Sequence, residues 1–344
     1  MIETASQREK LEAWLKQVAS ADKVEITAIK TLTGGAVQEN WKLSCHIEGG
    51  TESGEQHYVL RCDAPSGISV SLSRSEEFKV LSTVHAVGVT VPEPLWLCDD
   101  LELLGRPFYI MRLVDGIALG PKIVKTLSLG GDREALGWKL GAELAKIHSI
   151  QPPVNGLEFL SIPDDHPSTR MIQQLQNQLD SLDTTHPVLE WGLRWAEYNL
   201  PQKNIITLVH QDYRTGNYLI DETGLNGILD WEFSGWGDPM SDIGWFCAEC
   251  WRFSRPDLEA GGITTRQSFY KGYLKTSECS IDEQAVYFWE VIAHIRWAII
   301  TLQQANRHLS GAQLSLELAL TGRLLPSIES QILNMTSPAT WKTA

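Results

Sequence analysis

Leu11, Trp14, Leu15 and Val18 recur at helical spacing within residues 8–19, which predicts a short amphipathic helix. Strand-like runs follow at 24–31, 40–48 and 57–62, and Gly49-Gly50-Thr51-Glu52-Ser53-Gly54 between the last two has the composition of a hairpin loop. The helical period returns over 71–87, with Phe78, Leu81 and Val84 on one face. Pro92 and Pro94 then introduce two strands, at 95–98 and 107–114. Beyond Gly116 helical patterns dominate, at 133–149, 168–182, 187–199, 264–276, 282–308 and 314–334, with a strand-rich insert at 205–231. The expected class is α+β: a small sheet-rich lobe over 1–114 and a larger, mainly helical lobe over 115–344.

The insert carries the chemistry. An apolar strand, Ile205 to Val209, runs into His210-Gln211-Asp212-Tyr213-Arg214-Thr215-Gly216-Asn217, of the form H-x-D-x-x-x-x-N. Tyr218 to Asp221 and Gly227 to Asp230 then flank a turn-like stretch. A hairpin centred between Thr223 and Gly224 would set Asn217 opposite Asp230. An amide oxygen beside a carboxylate suits Mg²⁺, a hard cation that completes its shell with waters and substrate phosphates. Asp212, just upstream, is placed to orient a hydroxyl and receive its proton, as phosphoryl transfer requires. Taken alone, H-x-D reads as an ordinary loop with an Asx-turn; its combination with the Asn, the hairpin and Asp230-Trp231-Glu232 favours a metal-assisted phosphotransferase.

Charge and composition narrow the partners. With 43 acidic and 29 basic side chains the formal net charge is −14, which disfavours nucleic acid and anionic membranes as partners. The N-terminal residues lack the apolar core of a secretion signal, and the apolar stretch 285–302 is interrupted by Glu290, His294 and Arg296, as in a core helix. Six scattered cysteines, with a single C-x-x-C at Cys247 and Cys250, read as reduced thiols of a cytoplasmic protein.

The stretches Val209 to Asn217 and Ile228-Leu229-Asp230-Trp231-Glu232 resemble the catalytic loop and metal segment of the aminoglycoside phosphotransferase and choline kinase family, whose fold is protein-kinase-like. Gly237-Asp238-Pro239-Met240-Ser241-Asp242-Ile243 is similar to the next family signature, G-D-P-x-x-D-[LI]. The flavour is nearest to the kinase-like domains beside or fused to some acyl-CoA dehydrogenases. The resemblance implies ATP and Mg²⁺ as cofactors, Asp212 as catalytic base, and Asn217 and Asp230 as metal ligands. It also implies a nucleotide loop at Leu32 to Asn40 containing Gly34 and Gly35, Arg61 on the phosphates, and a helix carboxylate steadying Arg61, with Glu77 favoured over Glu76. Adenine would bind backbone groups near Met111 and Leu113.

Asp242 is expected to cap a helix starting near Ile243, His148 to be structural, and His210 to organise its loop. The acceptor is a small hydroxyl compound. The last third of the chain holds 10 acids and 9 bases, too few surplus carboxylates for a polycationic aminoglycoside, whereas Arg252, Arg255, Arg296 and Arg307 suit an anionic acceptor such as a hydroxyacyl-CoA. Two other readings stay open: an aminoglycoside-type antibiotic kinase, and a nucleotide-binding pseudokinase with a regulatory or scaffolding role, whose expected mark is loss of Asp212, Asn217 or Asp230.

Overall fold

The structure, a computed structural model, describes residues 4–32, 38–63 and 71–338. The chain divides into two compact units. The first comprises Met1–Gly116 together with two returning segments, Asn155–Phe159 and Asn226–Ser234; the second comprises Ile117–Val154, Leu160–Leu225 and Gly235–Ala344. A single division at 114/115 therefore misses the return of 226–234, which brings Asp230 and Glu232 into the first unit.

The first unit opens with helix α1 (Ala5–Val18), started by a capping box of Thr4 and Gln7. Strands β1 (Lys23–Leu32), β2 (Gln38–Glu48) and β3 (Gly54–Asp63) follow, then helix α2 (Arg74–Ala86), β4 (Pro94–Cys98), a single helical turn α3 (Leu101–Leu104) and β5 (Phe108–Arg112). All five strands join one antiparallel sheet in the order β1-β2-β3-β5-β4. β3 lies between β2 and β5, so Tyr58 to Cys62 are buried without alternation. The core beneath α1 gathers Leu11, Leu15, Ile26, Leu43, Leu60 and Phe108.

The second unit is mainly helical: α4 (Gly120–Lys125), α5 (Arg133–His148), α6 (Pro167–Asp180) and α7 (Pro187–Tyr198) precede the strands β6 (Thr207–Val209) and β7 (Tyr218–Ile220). β8 (Leu225–Ile228) opens the segment returned to the first unit, after which β9 (Gly235–Gly237) pairs antiparallel with β6. Then come α8 (Pro239–Cys247), α9 (Arg266–Thr276), α10 (Glu283–Leu309), α11 (Leu316–Thr321) and α12 (Leu325–Thr336). α10 is long and apolar enough to cross a membrane by length and composition, yet 72% of its most apolar window is buried inside the fold. The helix expected over 314–334 is broken into α11 and α12 by a 3₁₀ turn at Gly322–Leu324. There Gly322 comes so close to α10 that a β-carbon would lie 2.6 Å from the Ala305 Cβ, and Pro326 restarts the helix at its first turn.

Candidate active site

In the second unit, β6 delivers His210, Gln211 and Asp212 into a loop whose backbone is unusual: Gln211 has φ +62°, a left-handed conformation rare outside glycine. Asp242, fully buried on α8, holds that turn. Its carboxylate accepts the backbone N–H of His210 (2.7 Å) and of Gln211 (2.8 Å), and faces His148 Nε2 at 3.2 Å. His148 in turn meets the Tyr273 hydroxyl at 2.9 Å. Burial opposes the charge on Asp242, but hydrogen bonding from His148 and the attraction of His148 and His210 bring its pKa below the ordinary carboxylate value.

Asp242 is therefore no helix cap. Asp238 caps α8, accepting from Met240 N at 2.9 Å, so the helix begins four residues before Ile243. The G-D-P-x-x-D signature divides its labour between starting α8 and fastening the Asp212 loop. From the opposite side, Arg296 Nη1 donates to the Gln211 carbonyl at 2.7 Å. His210 organises the loop as expected, its Nδ1 lying 3.2 Å from the donating N–H of Asp212.

Asp212 is gripped on both carboxylate oxygens. Oδ1 accepts from Trp245 Nε1 at 2.9 Å and from Arg214 Nε at 3.1 Å, while Oδ2 accepts from the Asn217 amide. Asn217 spends both amide hydrogens on Asp212, the second on its carbonyl at 2.9 Å, which leaves Oδ1 of Asn217 to ligate. The guanidinium of Arg214 lies over the Trp251 ring (4.7 Å) and that of Arg296 over Trp245 (4.5 Å). Trp251 also packs against Trp245 and Trp297. Arg214 was not singled out in the sequence; its place two residues after Asp212 is the signal that could have found it. Of the arginines expected to meet an acceptor, Arg252 is committed to the Cys247 and Pro256 carbonyls, Arg255 to Asp257, and Arg307 to Gln313. Arg296 alone of the four touches the Asp212 loop.

In the first unit, Arg61 on β3 is 5% exposed. Its Nε donates to Glu77 Oε2 at 3.1 Å, and its Nη2 lies 3.0 Å from both Glu77 Oε1 and Asp230 Oδ1. Burial opposes the guanidinium's charge, but Glu77, Tyr109 and Asp230 keep its pKa well above the ordinary value. Nη2 and Glu77 Oε1 are buried in ion contact without an aligned hydrogen bond. Asp230 has φ +62° and a carboxylate 36% exposed, so one side of it pairs with Arg61 while the rest faces solvent. Glu76 is the capping-box partner of Ser73, leaving Glu77 on the buried face of α2 to pair with Arg61.

One further expectation needs correction. The turn after β7 closes with Asp221 N donating to Gly224 O (3.1 Å), which centres it between Glu222 and Thr223. The Asp221 side chain draws the turn in by accepting from Thr223 N (2.7 Å) and Gly224 N (3.2 Å). β8 ends at Ile228, so strand register does not extend to Asp230 and no hairpin pairing joins it to Asn217. Near the expected adenine site, Met111 is a buried strand residue and Leu113 N donates to His57 O at 3.0 Å, so the Leu113 carbonyl is what remains for a ligand. Gly34 and Gly35 lie outside the described residues. The thiols of Cys247 and Cys250 are pushed up by burial, Cys247 to about 12, and among the described residues no group of three or more His, Cys, Asp or Glu side chains suits a metal.

Comparison with known proteins places this arrangement. A 4-hydroxytryptamine kinase of Psilocybe cubensis is 25% identical over 285 residues, 75% of this chain and 77% of that protein. Acyl-CoA dehydrogenase family member 10 of Mus musculus is 28% identical over 293 residues, 80% of this chain but 27% of the mouse protein. The chain thus spans about a quarter of the length of the acyl-CoA dehydrogenase family relatives it matches. Among solved structures, a Ralstonia eutropha protein assigned to the aminoglycoside phosphotransferases superposes with a TM-score of 0.73 at 23% identity, covering 95% of this chain and 97% of that one. Spectinomycin phosphotransferase, in complex with ADP and spectinomycin, gives 0.63 at 14% identity over 95% and 98%. The family model for the phosphotransferase enzyme family (APH) matches residues 29–279, and the chain belongs to that family.

Proposed function

We propose that this protein is a cytoplasmic, ATP- and Mg²⁺-dependent kinase that transfers the γ-phosphoryl group to a hydroxyl of a small metabolic acceptor. The observation that carries the reading is the grip on Asp212 by Trp245, Arg214 and Asn217. Unlike the fully buried Asp242, this carboxylate is partly exposed, so a group that approaches it meets a fixed orientation. With two donors already on Oδ1 and one on Oδ2, Oδ2 keeps the lone pair that takes the acceptor's proton. The donor types fit the cofactor: Asn217 Oδ1 in the second unit and the solvent-facing side of Asp230 in the first would each offer Mg²⁺ a hard oxygen ligand, and Arg61, steadied by Glu77, would be the phosphate cation. Bound Mg²⁺·ATP supplies the phosphoryl group and neutralises the charge that develops on it. The chain's own contribution is positioning, through the fastened Gln211 turn and the fixed Asp212 rotamer. Retention of Asp212, Asn217 and Asp230 argues against a pseudokinase, and six free thiols accord with a reducing compartment.

Arg214 and Arg296 favour an acceptor bearing an anionic group, such as a hydroxyacyl-CoA, and oppose a polycationic aminoglycoside. Burial lowers the pKa of Arg296, with Asp212 opposing that shift, so the guanidinium gains from a further anion. A second reading, an aromatic hydroxyl acceptor, is favoured by the Trp245–Trp251–Trp297 cluster and by likeness to the 4-hydroxytryptamine kinase. ADP release measured across hydroxyacyl-CoAs, hydroxyindoles, choline-like amines and aminoglycosides tests the assignment. Turnover confined to aminoglycosides would reverse the acceptor reading, and no Mg²⁺-dependent ADP release with any hydroxyl compound would remove the kinase.

A further inference from the structure

Arg74 occupies an improbable place. It is the first residue of α2, where the helix dipole disfavours a cation, and it is 1% exposed, where desolvation disfavours any charge. A buried ion cluster is a poor source of folding stability compared with apolar packing of the same volume, so its contacts suggest another purpose. They reach three separate segments. Nε lies 2.8 Å from Asp63 Oδ1 at the end of β3, Nη1 pairs with Glu77 on α2, and Nη2 is 3.7 Å from Glu232 Oε2 and donates to Leu72 O at 3.1 Å. The Leu72 N–H in turn donates to the Glu232 carbonyl at 2.8 Å. Glu77 is thus shared by two guanidinium groups, Arg61 on Oε1 and Oε2 and Arg74 on Oε2. Glu232 stands two residues beyond Asp230, itself on Arg61.

We infer that Arg74 is a positioning residue for nucleotide binding: it clamps Glu77 against Arg61 and ties the Asp230–Glu232 segment to the start of α2, setting both groups before nucleotide arrives. The inference rests on the kinase reading above. With Arg74 gone, Glu77 keeps only Arg61 of its two guanidinium partners, and the Asp230–Glu232 segment loses a tie to the start of α2. A substitute lysine restores the charge but is a single point of contact without the planar fork that lets the guanidinium meet Asp63, Glu77 and Glu232 from separate nitrogens.

Calorimetry of Mg²⁺·AMP-PNP binding to the full chain tests this, with thermal melts of the nucleotide-free protein beside it. Arg74→Met is expected to weaken binding about tenfold or more, Arg74→Lys to recover part of the loss, and Glu232→Gln to weaken binding less. The Arg74→Met, Glu232→Gln pair should bind no worse than Arg74→Met alone, since both changes cut one tie. Wild-type affinity in Arg74→Met, or a melting point that drops while the folded protein binds as before, would reduce Arg74 to a structural residue. If Arg74→Met does not fold, Arg74→Lys and Glu232→Gln decide: unchanged affinity in both overturns the clamp. Failure of the unsubstituted protein to bind Mg²⁺·AMP-PNP instead removes the kinase reading and the clamp with it.

Discussion

The surroundings of Arg61 and those of Asp212 are built on opposite electrostatic balances. Around Arg61, two guanidinium groups face four carboxylates, those of Asp63, Glu77, Asp230 and Glu232. Around Asp212, the Arg214 guanidinium on its carboxylate and that of Arg296 on the Gln211 carbonyl stand against one carboxylate not tied to the loop backbone, because Asp242 is occupied by the His210 and Gln211 amides and by His148. The first cluster is short of positive charge and suits a divalent cation arriving with its nucleotide; the second is short of negative charge and suits an anionic acceptor. They also differ in how they are held. Ion pairs dominate the first, whereas backbone amides, an indole N–H and aromatic stacking dominate the second. Substitutions should accordingly separate nucleotide affinity from acceptor chemistry.

The largest separation is expected from Asp212→Ala. Loss of a positioned base costs about 10²–10⁴-fold in kcat, while the affinity for Mg²⁺·AMP-PNP, measured by calorimetry, stays at the wild-type value. A comparable loss of nucleotide binding would mean that Asp212 belongs functionally with the first cluster.

Asp242→Asn should follow. It keeps one oxygen for one of the two donating amides but puts an NH₂ group against the other, His210 N–H or Gln211 N–H, in a site without solvent. A loss of about 3 kcal/mol in urea unfolding is expected, with a fall in kcat as the Gln211 turn relaxes.

Glu232 provides a pH test of the first cluster. Burial, opposed by Arg61 and reinforced by Glu77, pushes its carboxyl up to about 7 from 4.5. Between those values the folded protein keeps a proton that the unfolded chain has released, so stability should fall as pH rises through that window. Glu232→Gln should remove this slope, on the order of 2 kcal/mol, in Mg²⁺-free unfolding curves from pH 4.5 to 8.

The smallest effect is expected at Arg296. Arg296→Ala should raise KM for an anionic acceptor about tenfold, or about 1.4 kcal/mol, and leave KM for ATP unchanged. A lower KM for a cationic acceptor in the same variant would sharpen the contrast between the two clusters.

Much of this was legible in the chain. The periods of 3.6 and 2 located most helices and strands, and the H-x-D-x-x-x-x-N spacing singled out Asp212 and Asn217, whose direct hydrogen bond follows from their nearness within one loop. Short elements such as α3 and α4 carry too few residues to show a period. The turn after β7 was misplaced by one residue because Asp221, by accepting from Thr223 and Gly224, draws it tighter than the strand pattern implies.

By itself, then, the sequence determined the α+β class and the polar loop that joins Asp212 to Asn217, since these rest on periodicity and on groups close together in the chain. Only the tertiary structure decided between Glu76 and Glu77, turned Asp242 from a helix cap into the anchor of the Gln211 backbone, and drew Arg296 and Arg74 from a field of surface-like arginines. Those roles depend on which charges share a buried volume. Segments 85 or 158 positions apart, such as Gln211 with Arg296 and Arg74 with Glu232, meet only once the apolar surfaces have packed.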